Sequence, residues 1–217
     1  MNAPSALRRG QPPTRQRILD IAEQLVADKG VYGFTLAEIT GPLGAQVPAI
    51  YKHYRSRDDV LVEVSRRYIT LLASQFQIDT RLGPVEAMKA ALDRLVECMV
   101  DHPAYVRLAL VDFATPGGGM EYVKLAAGGS FKENIQHGPL APMHARVGQL
   151  IAAGVRSGDF RRVEPTDFYR LVKAALLIRL VFPDDSLLTG PASAGSIRTV
   201  RRWLHDVADG FLKARPR

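Results

Sequence analysis

The 217-residue sequence predicts an all-α protein with a small N-terminal three-helix unit and a larger C-terminal helical bundle. Apolar residues recur at helical spacing through most of the chain, and no segment alternates apolar and polar residues over the length of a strand. Proline and glycine residues separate one helical stretch from the next. Because 47% of the residues are hydrophobic, the chain has enough apolar material for one sizeable core or two small ones.

The sequence divides into three predicted parts. Residues 1–13 contain three prolines and two arginines, a composition that predicts a flexible tail. Residues 14–58 form the predicted N-terminal unit, and residues 59–217 form the C-terminal one. A long helix that follows Ser56 is expected to join them, because Ser56 and Asp59 have the spacing of a capping box.

Two helices are predicted in the first half of the N-terminal unit. The first begins at Thr14 and ends at Gly30, since glycine is typical of the residue that follows a helix. The second follows a capping box formed by Thr35 and Glu38, and Gly41, Pro42 and Gly44 weaken and end it. The residues predicted to face inward are Ile18, Ile21, Ala22, Leu25, Val26, Leu36, Ile39 and Leu43.

The segment LGAQVPAIYKHYRSRDD carries the third helix of this unit. Pro48 is expected in its first turn, where a fixed φ and a missing N–H are tolerated. Val47, as the residue before proline, is expected to mark the boundary. Ile50 and Tyr54 lie four residues apart and are predicted to face inward. The opposite side then carries Val47, Pro48, Tyr51 and Lys52, next to His53 and Arg55.

Proline and glycine signals divide the C-terminal region into further amphipathic helices. Gly83 and Pro84 mark its first break, and Gly128 with Gly129 interrupts one of the segments. An amphipathic helix has to bury its apolar side against another element, so these segments predict a bundle. The predicted helices are 84–101, 103–114, 120–136, 141–157, 165–182 and 194–214.

Charge and composition narrow the classes of function. The formal net charge is +7, of which residues 1–57 contribute +4, and this excess favours a polyanionic partner such as nucleic acid or an anionic membrane surface. Cys98 is the one cysteine, and no apolar run approaches the roughly 20 residues of a membrane span, so we expect a cytoplasmic protein. The histidines lack metal-ligand spacing, and Gly117–Gly119 lacks the Lys-Ser/Thr of a phosphate loop. We therefore predict no enzyme, no metal and no cofactor.

The N-terminal unit has the parts of a helix-turn-helix, in which two short helices are joined by a glycine-containing turn and the second enters the major groove. Its outward residues combine small apolar groups that contact thymine methyls with a hydroxyl and cations that bind phosphates. The sequence therefore indicates a DNA-binding protein. The alternative is an all-α ligand- or partner-binding module whose N-terminal helical hairpin is structural.

The stretch FTLAEITGPLGAQVPAIYKHYRSRDDVL resembles the DNA-binding signature of the tetracycline-repressor (TetR) family of bacterial regulators. The matching positions, by identity or close substitution, are Phe34, Thr35, Ile39, Gly44, Ile50, Tyr51, His53, Tyr54, Ser56, Arg57 and Leu61. The resemblance implies a homodimer whose two recognition helices bind a palindromic operator on double-stranded DNA. The residues that it implies in DNA binding are Thr35, Gln46, Val47, Pro48, Tyr51, Lys52, His53 and Arg57.

The sequence departs from the family signature in the turn before the third helix. Pro42 and Leu43 replace a polar-Ala pair, and Ala45 replaces Val. Gln46 replaces the Ser that caps the recognition helix, and glutamine is a poorer N-cap than serine. Pro48 partly offsets this loss by presetting the first turn. Since these residues differ, the operator sequence of a relative does not transfer to this chain.

The resemblance also implies the roles of the C-terminal bundle, which are dimerisation and the binding of a small-molecule effector. A repressor that the effector releases is the function expected, with activation left open. The apolar segment from Phe168 to Phe182 favours an interface. The predicted dimer contacts are Leu171, Ala174, Ala175, Ile178, Val200, Trp203 and Leu204. The predicted effector contacts are Tyr105, Phe113, Met120, Phe131, Met143 and His144, for which plain core packing is the alternative.

Overall fold

The computed structural model describes residues 15–75, 77–79, 81–114, 122, 125–126, 128, 131–181 and 194–213. Its architecture is all-α, as predicted. None of the described helices is both long and apolar enough to cross a membrane. The helices are α1 (Arg15–Lys29), α2 (Leu36–Leu43), α3 (Val47–Tyr51), α4 (Arg57–Gln75), α5 (Pro84–Asp101), α6 (Pro103–Ala114), α7 (Phe131–Gln136), α8 (Ala141–Ser157), α9 (Pro165–Val181) and α10 (Ala194–Leu212).

The predicted boundaries agree closely with these helices. The predictions 84–101, 103–114 and 141–157 are the bounds of α5, α6 and α8, and α9 and α10 begin at the predicted residues. Pro84, Pro103 and Pro165 are each the first residue of a helix, where proline costs no hydrogen bond. Much of the segment predicted as 120–136 lies outside the described residues, and α7 is its described helix.

The chain forms two compact units that differ from the predicted division after residue 58. The first contains the described residues of Met1–Tyr68 and Ala104–Ala127, and the second contains those of Ile69–Pro103 and Gly128–Arg217. Helix α4 therefore has residues in both units, and nearly all of α6 belongs to the first. A boundary taken from the sequence follows chain order, whereas packing groups residues that are distant along the chain.

The core of the first unit is built on α1, α2, α3 and the first part of α4. Gly44 has a φ of 61°, a left-handed conformation that glycine adopts without strain, and it turns the chain between α2 and α3. Leu25 and Leu36, which were predicted to face inward, are half-buried. The buried residues include Ile18, Ile21, Ala22, Val26, Ile39, Leu43, Ile50, Tyr54, Val60, Leu61 and Val64.

The third helix begins one residue before the expected boundary. Val47 is already helical, and Gln46 is the extended N-cap residue, with φ −97° and ψ 154°. The residue before a proline disfavours helical dihedrals without excluding them, which permits this placement. The Gln46 side chain makes no capping hydrogen bond, while its carbonyl accepts the Ala49 N–H at 2.9 Å. Pro48 lies in the first turn, as predicted.

Capping hydrogen bonds hold the start of α2. The Glu38 carboxylate accepts hydrogen bonds from the Thr35 N–H at 2.7 Å and from the Thr35 hydroxyl at 2.9 Å. The Lys29 ammonium donates to the same carboxylate at 2.5 Å. Lys29, followed by the two Thr35 donors, lowers the pKa of Glu38 to about 2. At the start of α4, the Asp59 N–H donates to the Ser56 hydroxyl at 3.0 Å, as that capping box predicts.

The second unit is a bundle in which α5 packs against α8 and α10, and α9 packs against the same two helices. A polar contact crosses the α5–α10 seam, where His205 Nε2 lies 2.8 Å from Asp93 Oδ1. The end of α10 is held to the turn after α8, because the Arg161 N–H donates to the Leu212 carbonyl at 2.8 Å. The phenyl rings of Phe168 and Phe211 stack with their centroids 6.4 Å apart.

Gly154 allows a close contact between α8 and the buried ring of Phe160. A Cβ at residue 154 would lie 2.0 Å from Cδ2 of Phe160, far inside contact distance. The Phe160 N–H also donates to the Gly154 carbonyl at 3.0 Å, which keeps the ring over the helix. Any side chain at residue 154 therefore has to displace Phe160.

Gly154→Ala is expected to lower the free energy of unfolding by about 1–3 kcal/mol, because the buried Phe160 ring has to move. The measurement is urea denaturation followed by circular dichroism. The matched control is Gly210→Ala in α10, where an added Cβ meets nothing within 4 Å. That control should raise stability by about 0.5–1 kcal/mol through helix propensity. Two variants of equal stability would contradict the proposed contact.

Glu38 gives the stability of the protein a defined acid dependence. Its pKa lies below the ordinary value of 4.5, at about 2, so ionised Glu38 stabilises the fold above pH 4.5 and the contribution disappears as the pH falls toward 2. Glu38→Gln should lower the melting temperature at pH 7 and make its decline between pH 4.5 and pH 2 shallower. Glu86→Gln, at an exposed carboxylate of α5, should leave that decline unchanged. Thermal melts over this pH range measure both, and a wild-type acid decline in Glu38→Gln would refute the assignment.

Candidate nucleic-acid interface

The two sides of α3 and the residues after it differ sharply in burial. Ile50 and Tyr54 are buried, with 0% and 3% of their surfaces exposed, whereas Tyr51 is 55% exposed. Neighbouring residues of a helix point in different directions, so burial of Ile50 turns Tyr51 outward. Of the other predicted DNA contacts in this segment, Gln46, Pro48 and Lys52 are exposed, and Val47 and His53 are half-buried.

Arg57 is held at the first position of α4 by two aromatic rings and a carboxylate. Its Cζ lies 5.6 Å from the ring centroid of Tyr32 and 6.0 Å from that of Phe34. Its Nη2 lies 3.6 Å from Asp58 Oδ1, and the Tyr122 hydroxyl donates to the same oxygen at 3.3 Å. A guanidinium has five donors, so this arrangement leaves Arg57 able to bind a phosphate. Sequence reasoning missed Tyr32, since the turn that carries it has no helical periodicity.

Thr35 is exposed, as its predicted contact with a phosphate requires. Its hydroxyl nevertheless donates to Glu38 at 2.9 Å, and its N–H donates to the same carboxylate. Donation from the hydroxyl to a phosphate would therefore replace a capping hydrogen bond. In this structure Thr35 is the N-cap residue of α2.

A polar network joins three helices within the first unit. Arg67 Nη1 of α4 lies 2.7 Å from Asp20 Oδ1 and 3.0 Å from Glu23 Oε1, both on α1. The Tyr105 hydroxyl of α6 donates to the same Glu23 oxygen at 3.2 Å, and its ring centroid lies 4.9 Å from that of Tyr68. Tyr105 was predicted to contact an effector, but its hydroxyl and ring are engaged with α1 and α4.

The other predicted effector contacts fall into two groups. Met143 is fully buried, and His144 Nε2 lies 2.9 Å from Thr166 Oγ1, which ties α8 to the start of α9. Met120 lies outside the described residues, and so do the side chains of Phe113 and Phe131. The described members of this set are therefore buried or hydrogen-bonded within the chain.

Two surface grooves lie in the second unit, with volumes of about 560 and 420 Å³. Neither groove includes any of the six predicted effector contacts. The larger one is lined by Gly148, Ile151, Ala152, Val155, Arg156, Arg162, Val163, Glu164 and Pro165. The smaller one is lined by Gln77, Ile78, Asp79, Leu82, Pro84, Ala87, Arg146, Gln149, Leu150 and Ala153.

The predicted dimer contacts separate into exposed and buried residues. On α9, Ile178 is 55% exposed, Ala174 is exposed, and Leu171 and Ala175 are half-buried. On α10, Trp203 is half-buried. Val200 and Leu204 are buried completely within the chain itself, so they have no surface to offer a partner. The helical spacing that suggested them marks the inner side of α10.

The described residues contain no group of three or more His, Cys, Asp or Glu side chains placed to hold a metal ion. Cys98 is buried in α5, and burial, followed by the charge of Asp101, raises the pKa of its thiol to about 11. A thiol with that pKa is protonated at neutral pH and is a poor nucleophile. It packs as a small apolar side chain, as predicted.

Comparison with known proteins gives the family of the N-terminal part. Residues 18–64 match the family model of bacterial regulatory proteins, tetR family. The HTH-type transcriptional regulator SAR2658 of Staphylococcus aureus is 29% identical over 103 residues, which are 46% of this chain and 56% of that protein. The regulator SAB2452, also from Staphylococcus aureus, is 31% identical over 98 residues, which are 44% and 53% of the two chains. The chain thus spans about half the length of the curated relatives it matches.

Solved structures show that the similarity in fold extends along the chain. The ketosteroid transcriptional regulator KstR2 of Mycobacterium tuberculosis has a TM-score of 0.63 at 17% identity, covering 95% of this chain and 99% of that one. The TetR-family regulator PfmR of Thermus thermophilus has a TM-score of 0.61 at 19% identity, covering 91% and 100%. Residues 18–64 therefore match the tetR family of bacterial regulatory proteins, and the described chain shares its fold with solved transcriptional regulators such as PfmR.

Proposed function

We propose that this protein is a transcriptional repressor that binds a palindromic operator as a homodimer and is released by a small-molecule effector. The observation that carries the DNA-binding part is the division of α3 into a buried and an exposed side. Ile50 anchors the helix in the core, while Pro48, Tyr51 and Lys52 stay exposed. A helix held in this way presents its outer side chains to a major groove.

Cations flank this exposed side and support contact with phosphates. Lys52 directly follows α3 and is exposed, and Arg57 begins the next helix. The Tyr32 ring and Asp58 hold the Arg57 guanidinium in place, so fewer rotamers are lost when it binds a phosphate. Such contacts set the position of a protein on the duplex and dominate its affinity.

A stripe of apolar residues on α9 supports the homodimer. Leu171, Ala174, Ala175 and Ile178 have the spacing of one helix side, and Val181 next to them is 40% exposed. Exposed apolar residues gathered on one side of a helix indicate a protein contact. We propose this stripe, with Trp203 of α10, as the dimer face; Val200 and Leu204 stabilise the bundle beneath it.

The larger groove of the second unit is our candidate for the effector site. Its volume of about 560 Å³ lies in the range of small-molecule sites. Apolar side chains such as Ile151 and Val155 line it, and Arg156 and Arg162 provide cations for an anionic group. A protein of similar fold from Saccharomonospora viridis, 20% identical with a TM-score of 0.60, was solved in complex with choline.

The mechanism that we propose is repression by occupancy. The dimer places two copies of α3 in successive major grooves and blocks transcription. Effector binding favours an arrangement of the subunits in which the two helices no longer match the groove spacing. A coupling free energy of about 1–3 kcal/mol is sufficient for a useful change in affinity. Helix α4 has residues in both units, so it is one of the segments that connect them along the chain.

Salt dependence of DNA binding tests the DNA-binding role. The wild-type protein should prefer its own promoter region to random DNA of equal length, and its affinity should fall steeply with salt as counterions are released. Lys52→Ala should weaken binding to both DNAs alike and reduce the slope of log affinity against log salt by about two for the dimer, because each of the two subunits neutralises one phosphate fewer. Fluorescence anisotropy with labelled duplexes measures these quantities.

Arg198→Ala is the matched control, because it removes one positive charge from an exposed residue of the second unit outside the proposed effector groove. It should leave the salt slope at the wild-type value. If the wild-type protein shows no preference for its promoter, the alternative of a ligand- or partner-binding module with a structural hairpin holds instead. An altered promoter preference in Lys52→Ala with an unchanged slope would refute the phosphate contact.

Ile178→Glu is expected to convert the dimer to a monomer, because a charge on the apolar stripe would be buried without a partner. The fold should survive, since Ile178 is 55% exposed in the single chain. Sedimentation velocity gives the mass, and far-ultraviolet circular dichroism gives the helix content. Leu82→Glu, at a 42%-exposed leucine outside the stripe, is the control and should stay dimeric. A folded Ile178→Glu dimer would rule out this face.

A further inference from the structure

We propose that Gln46 hydrogen-bonds an adenine base in each half-site, and that Val47 and Pro48 contact thymine methyl groups, so that α3 selects A·T pairs. This inference rests on the proposed DNA-binding function and adds the base composition of the target. It follows from the chemistry of one short segment, residues 45–50, in which an exposed glutamine lies among apolar residues.

The side-chain amide of Gln46 is free to bind a base. Gln46 is exposed, and its side chain makes no capping hydrogen bond to α3. In the described part of the chain it has no other side-chain hydrogen bond either. Its backbone is fixed, because its carbonyl accepts the Ala49 N–H at 2.9 Å and Pro48 restricts the turn that follows. An amide group without an internal partner therefore stands at a defined position where α3 begins.

Gln46 is also the one residue from Ala45 to Ile50 whose side chain can form a hydrogen bond. In the major groove, the donor and acceptor of a glutamine amide match N7 and the N6 amino group of adenine together. Guanine presents two acceptors there, and these suit the donors of Arg or Lys. Residues at the start of a recognition helix contact base edges, which places Gln46 where such a pair forms.

The two residues after Gln46 complete an apolar contact surface. Val47 is half-buried and Pro48 is exposed, and neither side chain has a donor or an acceptor. The apolar group that DNA displays in the major groove is the C5 methyl of thymine. An adenine contact beside methyl contacts selects A·T pairs at adjacent positions. Lys52 follows later in the chain and is proposed to contact a phosphate, so it does not change this selection.

Selection of binding sites from a random DNA library tests the proposal. Wild-type protein should enrich a palindrome with A·T pairs at the positions that α3 contacts. Gln46→Ala should lose the preference at one position of each half-site and keep the others. Gln46→Glu replaces the donor with an acceptor, and carboxylates accept from the cytosine N4 amino group, so preference there should change from adenine toward cytosine. A residue with only a structural role would not produce that change.

Base analogues in the selected operator then identify the atoms. Replacing the contacted adenine with 7-deazaadenine removes the N7 acceptor and should weaken wild-type binding about three- to tenfold. The same replacement should have no effect on Gln46→Ala. Replacing the contacted thymine with uracil removes the methyl group, and its effect should be smaller in Val47→Ala than in the wild type. The two variants are controls for each other, because each should lose sensitivity to one analogue only.

The outcomes separate this inference from the function on which it rests. If no sequence is enriched and no salt-dependent binding occurs, the DNA-binding function fails. If a palindrome is enriched but Gln46→Ala and Gln46→Glu retain the wild-type preference, the function stands and the assignment of Gln46 is wrong. Enrichment of G·C pairs at the α3 positions would overturn the inference in the same way.

Discussion

The burial of Ile50 and Tyr54 in the first unit is the constraint on which the DNA-binding surface depends. Helix α3 has five residues, and an isolated helix shorter than about 12–15 residues is marginal in water. Packing of these two side chains therefore holds the helix, with the left-handed turn at Gly44 setting its entry. Since a helix has fixed angular spacing, anchoring one side also determines which side chains remain outside. The exposure of Pro48 and Tyr51 follows from that anchor.

Helix α4 extends this constraint beyond the helix-turn-helix. At its start, Arg57 is fixed over the Tyr32 ring, and further along Arg67 is paired with Asp20 and Glu23 of α1. Glu23 also accepts the hydrogen bond from Tyr105. Helix α6 therefore packs in the first unit, although α5 of the second unit lies between α4 and α6 along the chain. The first compact unit is consequently larger than residues 14–58, because it includes the Tyr105 side chain of α6.

Local chemistry explains why so many helix boundaries were predictable. Three signals act within a few residues, whatever the tertiary structure. They are proline at the first helical position, glycine after the last helical position, and Ser or Thr followed three residues later by an acidic residue. Glu38 with Thr35 and Asp59 with Ser56 form the hydrogen bonds that this spacing predicts. The start of α3 differed by one residue because the constraint before proline is a preference that packing can override.

Amino-acid order alone determined the all-α class, most helix limits and the outward side of α3, because each depends on spacing within one helix. The tertiary structure decided which neighbouring helix, or which partner, the apolar side of each helix contacts, because helical spacing does not specify this. Val200 and Ile178 have the same apolar character, yet one is buried under its own bundle and the other is exposed. Tyr105 was likewise predicted to contact a ligand, and in the structure its hydroxyl donates a hydrogen bond to Glu23 of α1. Periodicity shows that a side chain faces inward, but only the packing of distant segments shows what it contacts there.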